Sequence, residues 1–201
     1  MGRLIKQILH KIKEPKVLVS LFLASIMIFS VLGFMMSYQM EGNTTEIEYN
    51  GYVFEQLYDG VRTRIHGESI TLTYFPEQVD QINISKAAKI ALENLPVFSI
   101  TYETDSTYTE YFAGQQFELS ENMEKIEKYA IPGMMNNTGY KSIPKITCNN
   151  ATASVPVILF QESNTTGIKF NNNCIIANIG NMNDVYRVGD LLFYTMAGVI
   201  E

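Results

Sequence analysis

The side chains able to do chemistry in this chain are few. It has two cysteines, Cys148 and Cys174, and two histidines, His10 and His66. No CxxC spacing occurs, and two Cys with no His nearby cannot complete a tetrahedral zinc site. In an oxidising compartment an even pair reads as a disulfide, with a reactive thiol or a metal as the alternative. Closing a loop of this length would stabilise by ~3–4 kcal/mol in the chain-entropy view. A Ser-His-Asp triad would have to combine His66 with Ser69 and Asp59, and no GxSxG surrounds any serine. Glu77, Asp80, Asp184 and Asp190 are available as a carboxylate pair for glycoside hydrolysis. A chain this rich in acids always offers such pairs, so they discriminate nothing. There is no HExxH and no Gly-rich phosphate loop. These residues predict no catalytic set, no metal site and no cofactor.

A second kind of chemistry is modification. Asn43, Asn83, Asn136, Asn150 and Asn164 each open an Asn-X-Ser/Thr acceptor, and each falls in a polar or turn-like stretch suited to a glycan. All five follow a long apolar run, and none precedes it.

That run, VLVSLFLASIMIFSVLGFMM at 17–36, holds 20 residues without a charge. At about 1.5 Å per residue it spans ~30 Å as a helix, the thickness of a bilayer's hydrocarbon core. Arg3, Lys6, Lys11, Lys13 and Lys16 against Glu14 give the preceding tail a charge of 5 − 1 = +4; the remainder carries 10 basic and 20 acidic side chains, or −10. The basic flank predicts a cytoplasmic N-terminus and an extracytoplasmic remainder at the plasma membrane. The expected organisation is therefore a tail (1–16), a transmembrane helix (17–37), a linker (38–48) and one extracytoplasmic domain (49–201). An acidic outer domain argues against nucleic acid as a partner, since phosphate neutralisation needs clustered Lys and Arg. The lipid bilayer is the expected partner, with another envelope protein or a second copy beside it.

Alternatives attach to the N-terminus. Cleavage of the run as a signal peptide would use the small side chains near Val31 and Gly33, but the run exceeds the usual 7–15 apolar residues. The KEPK preceding it does not suit a pilin-type leader, and Lys6 stands where N-myristoylation needs Ser or Thr. Leu4, Ile5, Ile8, Leu9 and Ile12 fall on one arc of a helical wheel opposite Arg3, Lys6, His10 and Lys11, which predicts a basic amphipathic helix lying on the inner leaflet; a flexible tail is the alternative. Pro15 would turn the corner into the span. Ser20/Ala24 and Gly33/Ser37 form small-xxx-small pairs of the kind that let two helices approach.

The outer domain must position whatever chemistry there is. GYVFEQL, VRTRI and SITLTYF, cut at Asp59-Gly60 and His66-Gly67, predict a three-stranded meander. Ser85 caps a short helix, KAAKIALENL. VFSITY is a strand, and a long helix opens at Asp105 or Ser106 and runs to about Ala130. KITC, VPVILFQ, GIKF and CIIANI are strands, with a hairpin turn at Asn171-Asn172-Asn173. Asn183 or Asp184 caps a terminal helix striped by Val185, Val188, Leu191, Leu192, Met196 and Val199. The order predicts an α+β fold with a mostly antiparallel sheet and about three helices. Seven tyrosines (49, 52, 58, 74, 102, 108 and 111) fit either half-buried strand packing or a binding surface.

Several stretches in the C-terminal third carry a resemblance: Cys148-Asn-Asn-Ala-Thr, Val155-Pro-Val-Ile, Asn173-Cys-Ile-Ile and Asp190-Leu-Leu-Phe-Tyr, with Tyr49-Asn-Gly-Tyr and Tyr74-Phe-Pro-Glu-Gln-Val as lesser echoes. Together, mainly over 148–194, the chain resembles uncharacterised, small, single-span membrane-anchored archaeal proteins. The resemblance implies an archaeal envelope setting and two cysteines acting together; it transfers no activity. The leading expectation is a membrane-anchored extracytoplasmic binding or structural module of the cell envelope. The rival is a membrane-tethered hydrolase acting on glycans or peptides. A deep pocket of converging carboxylates, or His66 beside a Ser, would favour the rival.

Overall fold

The structure, a computed structural model, describes residues 15–40, 45–140 and 142–200. The chain divides into two compact units, Met1–Thr44 and Thr45–Glu201. The expected amphipathic tail and Asn43 lie outside the described residues.

The first unit contains α1, Pro15–Met40, one unbroken helix of 26 residues. Proline suits its first position, because an N–H there has no intrahelical partner anyway. Phe22, Leu23, Ile26, Met27, Ile28 and Phe29 are each 49–72% exposed, so apolar side chains face outward on every side. Among the described residues no helix is long and apolar enough to cross a membrane. The spanning helix expected over 17–37 is therefore not supported among the described residues.

The second unit is α+β. Its first sheet is a four-stranded antiparallel meander of β1 (Glu46–Tyr49), β2 (Tyr52–Gln56), β3 (Val61–Ile65) and β4 (Glu68–Leu72). The first and last hairpins close through Asn50-Gly51 (φ +47° and +81°) and His66-Gly67 (φ +52° and +86°). Positive φ at both turn positions matches the strands' right-handed twist. Along β3, Val61, Thr63 and Ile65 are buried while Arg62 and Arg64 are exposed, the period-two pattern of a half-buried sheet. The fourth strand, β1, begins inside the stretch expected to be linker and ends at the first residue of the expected domain. Its EIEY alternates weakly, and it is held by pairing with β2 from Glu46↔Glu55 to Tyr49↔Tyr52.

The second sheet corrects the expectation of a single, mostly antiparallel sheet. It comprises β5 (Val97–Tyr102), β6 (Tyr129–Pro132), β7 (Val157–Glu162), β8 (Gly167–Asn171) and β9 (Cys174–Ile179), in the order β6-β5-β7-β9-β8. Its first three pairings are parallel; only β8–β9 is antiparallel. A parallel pair needs a crossover of a dozen or more residues. Between β5 and β6 that crossover is α4, Thr109–Glu124. The helix expected to run on to Ala130 ends sooner, since Glu127 takes φ +60° and β6 begins two residues later. KITC is not a strand; the segment makes one bridge, Met134↔Lys145, and enters a 310 turn at Cys148–Asn150. The β8–β9 turn has positive φ at Asn172 and Asn173, as expected of Asn.

Three further helices complete the domain: α2 (Pro76–Val79), α3 (Lys86–Asn94) and α5 (Asn183–Met196). Ser85 caps α3 by accepting from the Ala88 N–H (3.4 Å). The α5 lead-in is capped by Asn181, whose Oδ1 accepts from the Asp184 N–H (3.2 Å), not by Asn183 or Asp184. The expected α5 stripe is buried in full, together with Phe193 and Tyr194. The Tyr194 ring stands edge-on to Phe54 of the meander at 5.9 Å, and its hydroxyl donates to Tyr74 O (2.7 Å). The main core thus runs from the meander through α5 to one face of the second sheet. A smaller cluster of Ile146, Val157, Leu159 and Cys174 forms separately.

Candidate functional site

Helices α4 and α5 lie against each other at an unusually close point. A Cβ placed on Gly189 would come within 2.0 Å of Gln115 Nε2 and 2.2 Å of its Cδ, so the bare backbone of α5 is what admits the Gln115 side chain. Gln115 is 3% exposed, and its Oε1 has no hydrogen-bond partner. Buried polar atoms are usually paired, and an orphan acceptor costs about 1–3 kcal/mol.

Next to Gly189 stands Asp190, also 3% exposed. Its Oδ2 accepts N–H groups from Thr73 (3.0 Å) and Tyr74 (2.8 Å), where the chain leaves β4. Burial pushes this carboxyl up to about 8; the two N–H donors oppose that rise, and nearby Glu118 adds to it. At neutral pH Asp190 is a protonated acid that still offers a carbonyl oxygen to both N–H groups.

Together with the end of β4, these helices enclose a cleft of about 190 Å³. Glu118, one turn along α4 from Gln115, stands at its exposed rim, where partial burial and then the charge of Glu121 raise its carboxyl. Asp59 closes the other side from the β2–β3 turn. That turn packs hard onto β4, for a Cβ at Gly60 would lie 2.3 Å from Leu72 O. Leu72, Leu119 and Phe193 give an apolar wall, and no Lys, Arg or His lines the cleft. Asn122 lies one turn beyond Glu118, its Oδ1 accepting from Lys125 Nζ (3.1 Å).

Two anchors fix α4. Gln116 Nε2 donates to Ile100 O (2.6 Å) and Gly133 O (2.9 Å), tying the helix to β5 and to the residue after β6. At the N-terminal end, Glu162 Oε2 accepts from Ser106 Oγ (2.7 Å), Thr107 N (3.2 Å) and Thr107 Oγ1 (3.2 Å). These bonds, Ser106 first, hold the Glu162 carboxyl below its usual value.

The residues expected to do chemistry are dispersed. Cys148 and Cys174 are joined in a disulfide with Cα atoms 5.3 Å apart, stapling the 310 turn to the start of β9 beside the small apolar cluster. His66 and Asp59 flank opposite ends of β3, whose five residues at ~3.3 Å each hold them roughly 16 Å or more apart. No triad can form, and no Ser lines either groove that contains His66. Asp80 accepts from Tyr49 (3.5 Å). Asp184 binds Thr166, Asn181 (2.7 Å) and Arg187 (3.1 Å), and Arg187 reaches on to Gln78 O (2.7 Å). Of the four carboxylates singled out in the sequence, Asp190 alone lines the cleft, beside Asp59 and Glu118. Among the described residues no three of His, Cys, Asp and Glu are grouped to hold a metal ion.

Asn83, Asn136, Asn150 and Asn164 are all exposed, as a glycan acceptor must be. Asn136 and Asn150 accept turn hydrogen bonds through Oδ1, from Thr138 and Thr147. Tyr49, Tyr52, Tyr74 and Tyr108 pack against the core and Tyr102 is buried within it, while Tyr58 and Tyr111 are exposed.

Sequence reasoning missed Gln115, Glu118 and Asn122. The signal was present for the two amides: positions 112, 115, 119, 122 and 123 are the buried side of α4, and two of the five are amides. Comparison with protein families, with curated proteins and with solved structures finds no match to this chain.

Proposed function

We propose that this protein is a membrane-tethered binding module of the cell envelope, with α1 as its anchor, a cytoplasmic N-terminus and the Thr45–Glu201 unit outside. The observation that carries the reading is a 26-residue helix with large apolar side chains exposed on every side. Eleven of these in water would be costly, at about 25 cal/mol per Å² of apolar surface, whereas lipid removes the cost. The uncharged run of 20 residues is long enough for the purpose. The disulfide and the exposed sequons suit an oxidising outer compartment, and the resemblance to anchored archaeal proteins points the same way. Binding is assigned to the cleft between α4, α5 and the end of β4, where an enclosed acceptor lacks a donor. Alkaline carbonate extraction tests the tether: the full chain stays with the membrane pellet and a variant lacking 17–37 does not. Release of the full chain into the supernatant would refute it.

One observation favours a second reading, a tethered hydrolase of glycans or peptides: Asp59, Glu118 and Asp190 share a cleft, and one of them is protonated at neutral pH. Against it, Asp190 is nearly inaccessible and already engaged by two N–H groups. Loss of glycan or peptide hydrolysis in Glu118→Gln would support this reading; absence of any hydrolysis by the intact protein would dismiss it.

A further inference from the structure

We infer that the cleft beside Gln115 takes a small aliphatic ammonium ion, a cation with N–H donors and a short apolar body. This rests on the binding reading above and gives it a ligand class. The first support is the orphan acceptor. Gln115 is 97% buried and lines the cleft, and its Oε1 finds no donor. A ligand that carries N–H groups relieves that deficit, while one that offers only acceptors repeats it.

The second support is charge. Asp59 and Glu118 flank the opening, and the lining contains no Lys, Arg or His. Lys125, bonded to Asn122 Oδ1 from outside the cleft, is partly neutralised by Glu121 at 3.8 Å. Carboxylates around a concave, partly enclosed space focus a negative field there and raise the local concentration of cations.

Shape separates an organic cation from a metal. No three acidic or imidazole ligands among the described residues are grouped for a metal ion, and a hard cation such as calcium wants six to eight oxygens. Leu72, Leu119 and Phe193 instead offer an apolar wall that suits methylene groups. At ~30 Å³ per water-sized group, a volume of about 190 Å³ holds roughly six such groups. That is room for a butyl-sized amine.

The experiment is calorimetric titration of the full chain, in a neutral detergent at pH 7.5, with n-butylamine and 1,4-diaminobutane. Butanol, butyrate and calcium chloride are the comparison probes. Binding of an amine is expected, weakened at least tenfold in Gln115→Leu and in Glu118→Gln and unchanged in Glu77→Gln. Glu118 and Glu77 are both exposed, so neither substitution threatens the fold, and unfolding curves check Gln115→Leu. Amine binding that survives both cleft substitutions overturns the proposal. Gln115-dependent binding of butanol, butyrate or calcium in place of the amines overturns the ligand class and leaves the binding cleft standing. No binding by any probe overturns both.

Discussion

Asp190 should make this domain lose stability as pH rises through neutrality, opposite to the usual behaviour of a carboxylate. In the unfolded chain its carboxyl titrates near 3.8, whereas burial lifts it to about 8 in the folded protein. Between these values the folded state holds one more proton than the unfolded state. Stability therefore falls with pH, by about 1.4 kcal/mol per unit. Stability from this group is complete below pH ~4, declines through neutrality and levels off above pH ~8. Between pH 6 and 9 the expected loss is about 2–3 kcal/mol. Asp190→Asn isolates the effect, because its carbonyl still accepts from Thr73 and Tyr74 while it cannot ionise. Urea unfolding of the detergent-solubilised full chain, followed by the near-ultraviolet tyrosine signal at pH 6, 7, 8 and 9, measures both proteins. The wild type should lose its 2–3 kcal/mol relative to Asp190→Asn across that range. Parallel curves, with a constant difference, would show that Asp190 is ionised in the folded state and would refute the reasoning.

Other expectations follow from the same geometry. Cys148→Ala/Cys174→Ala, or reduction of the wild type, should cost ~3–4 kcal/mol in urea unfolding for a pair 26 residues apart; no change would mean that the 133–156 loop is held by packing alone. Gly189→Ala should destabilise by about 1–3 kcal/mol through overpacking against Gln115. Adding Gln115→Ala should recover part of that loss, and strictly additive effects would deny the contact. Lys128 Nζ donates to Leu92 O (2.9 Å), Glu93 O (3.0 Å) and Leu95 O (2.8 Å) at the end of α3. Lys128→Met strands these carbonyls and should cost about 1–3 kcal/mol, with amide exchange rising first in α3; an unchanged midpoint would contradict it.

Much of the fold was legible because it is locally encoded. The Asn50-Gly51 and His66-Gly67 turns, the alternation along β3, the Ser85 cap and the α5 stripe each need only a short window of sequence. The direction of the second sheet was not legible. Continuous runs such as VPVILF and CIIANI announce strands buried on both faces, which is what parallel strands require, but periodicity does not say which neighbour they meet. β6 was hidden because YAIP is short and follows a long helix; Glu127 in the left-handed region, which ends that helix for good, has no signature of its own. The cleft was half visible. Gln115 and Asn122 interrupt an apolar stripe, whereas the approach of Gly189 and the union of Asp59, Glu118 and Asp190 arise only from tertiary packing across more than a hundred residues.

The direct test of the central claim is protease treatment of sealed membrane vesicles of both orientations, with the thiols trapped by alkylation beforehand. Right-side-out vesicles should lose the Thr45–Glu201 unit to protease, inverted ones should protect it, and Cys148 and Cys174 should resist alkylation until reduced. Protection in right-side-out vesicles with digestion in inverted ones, and two freely alkylated cysteines, would contradict it.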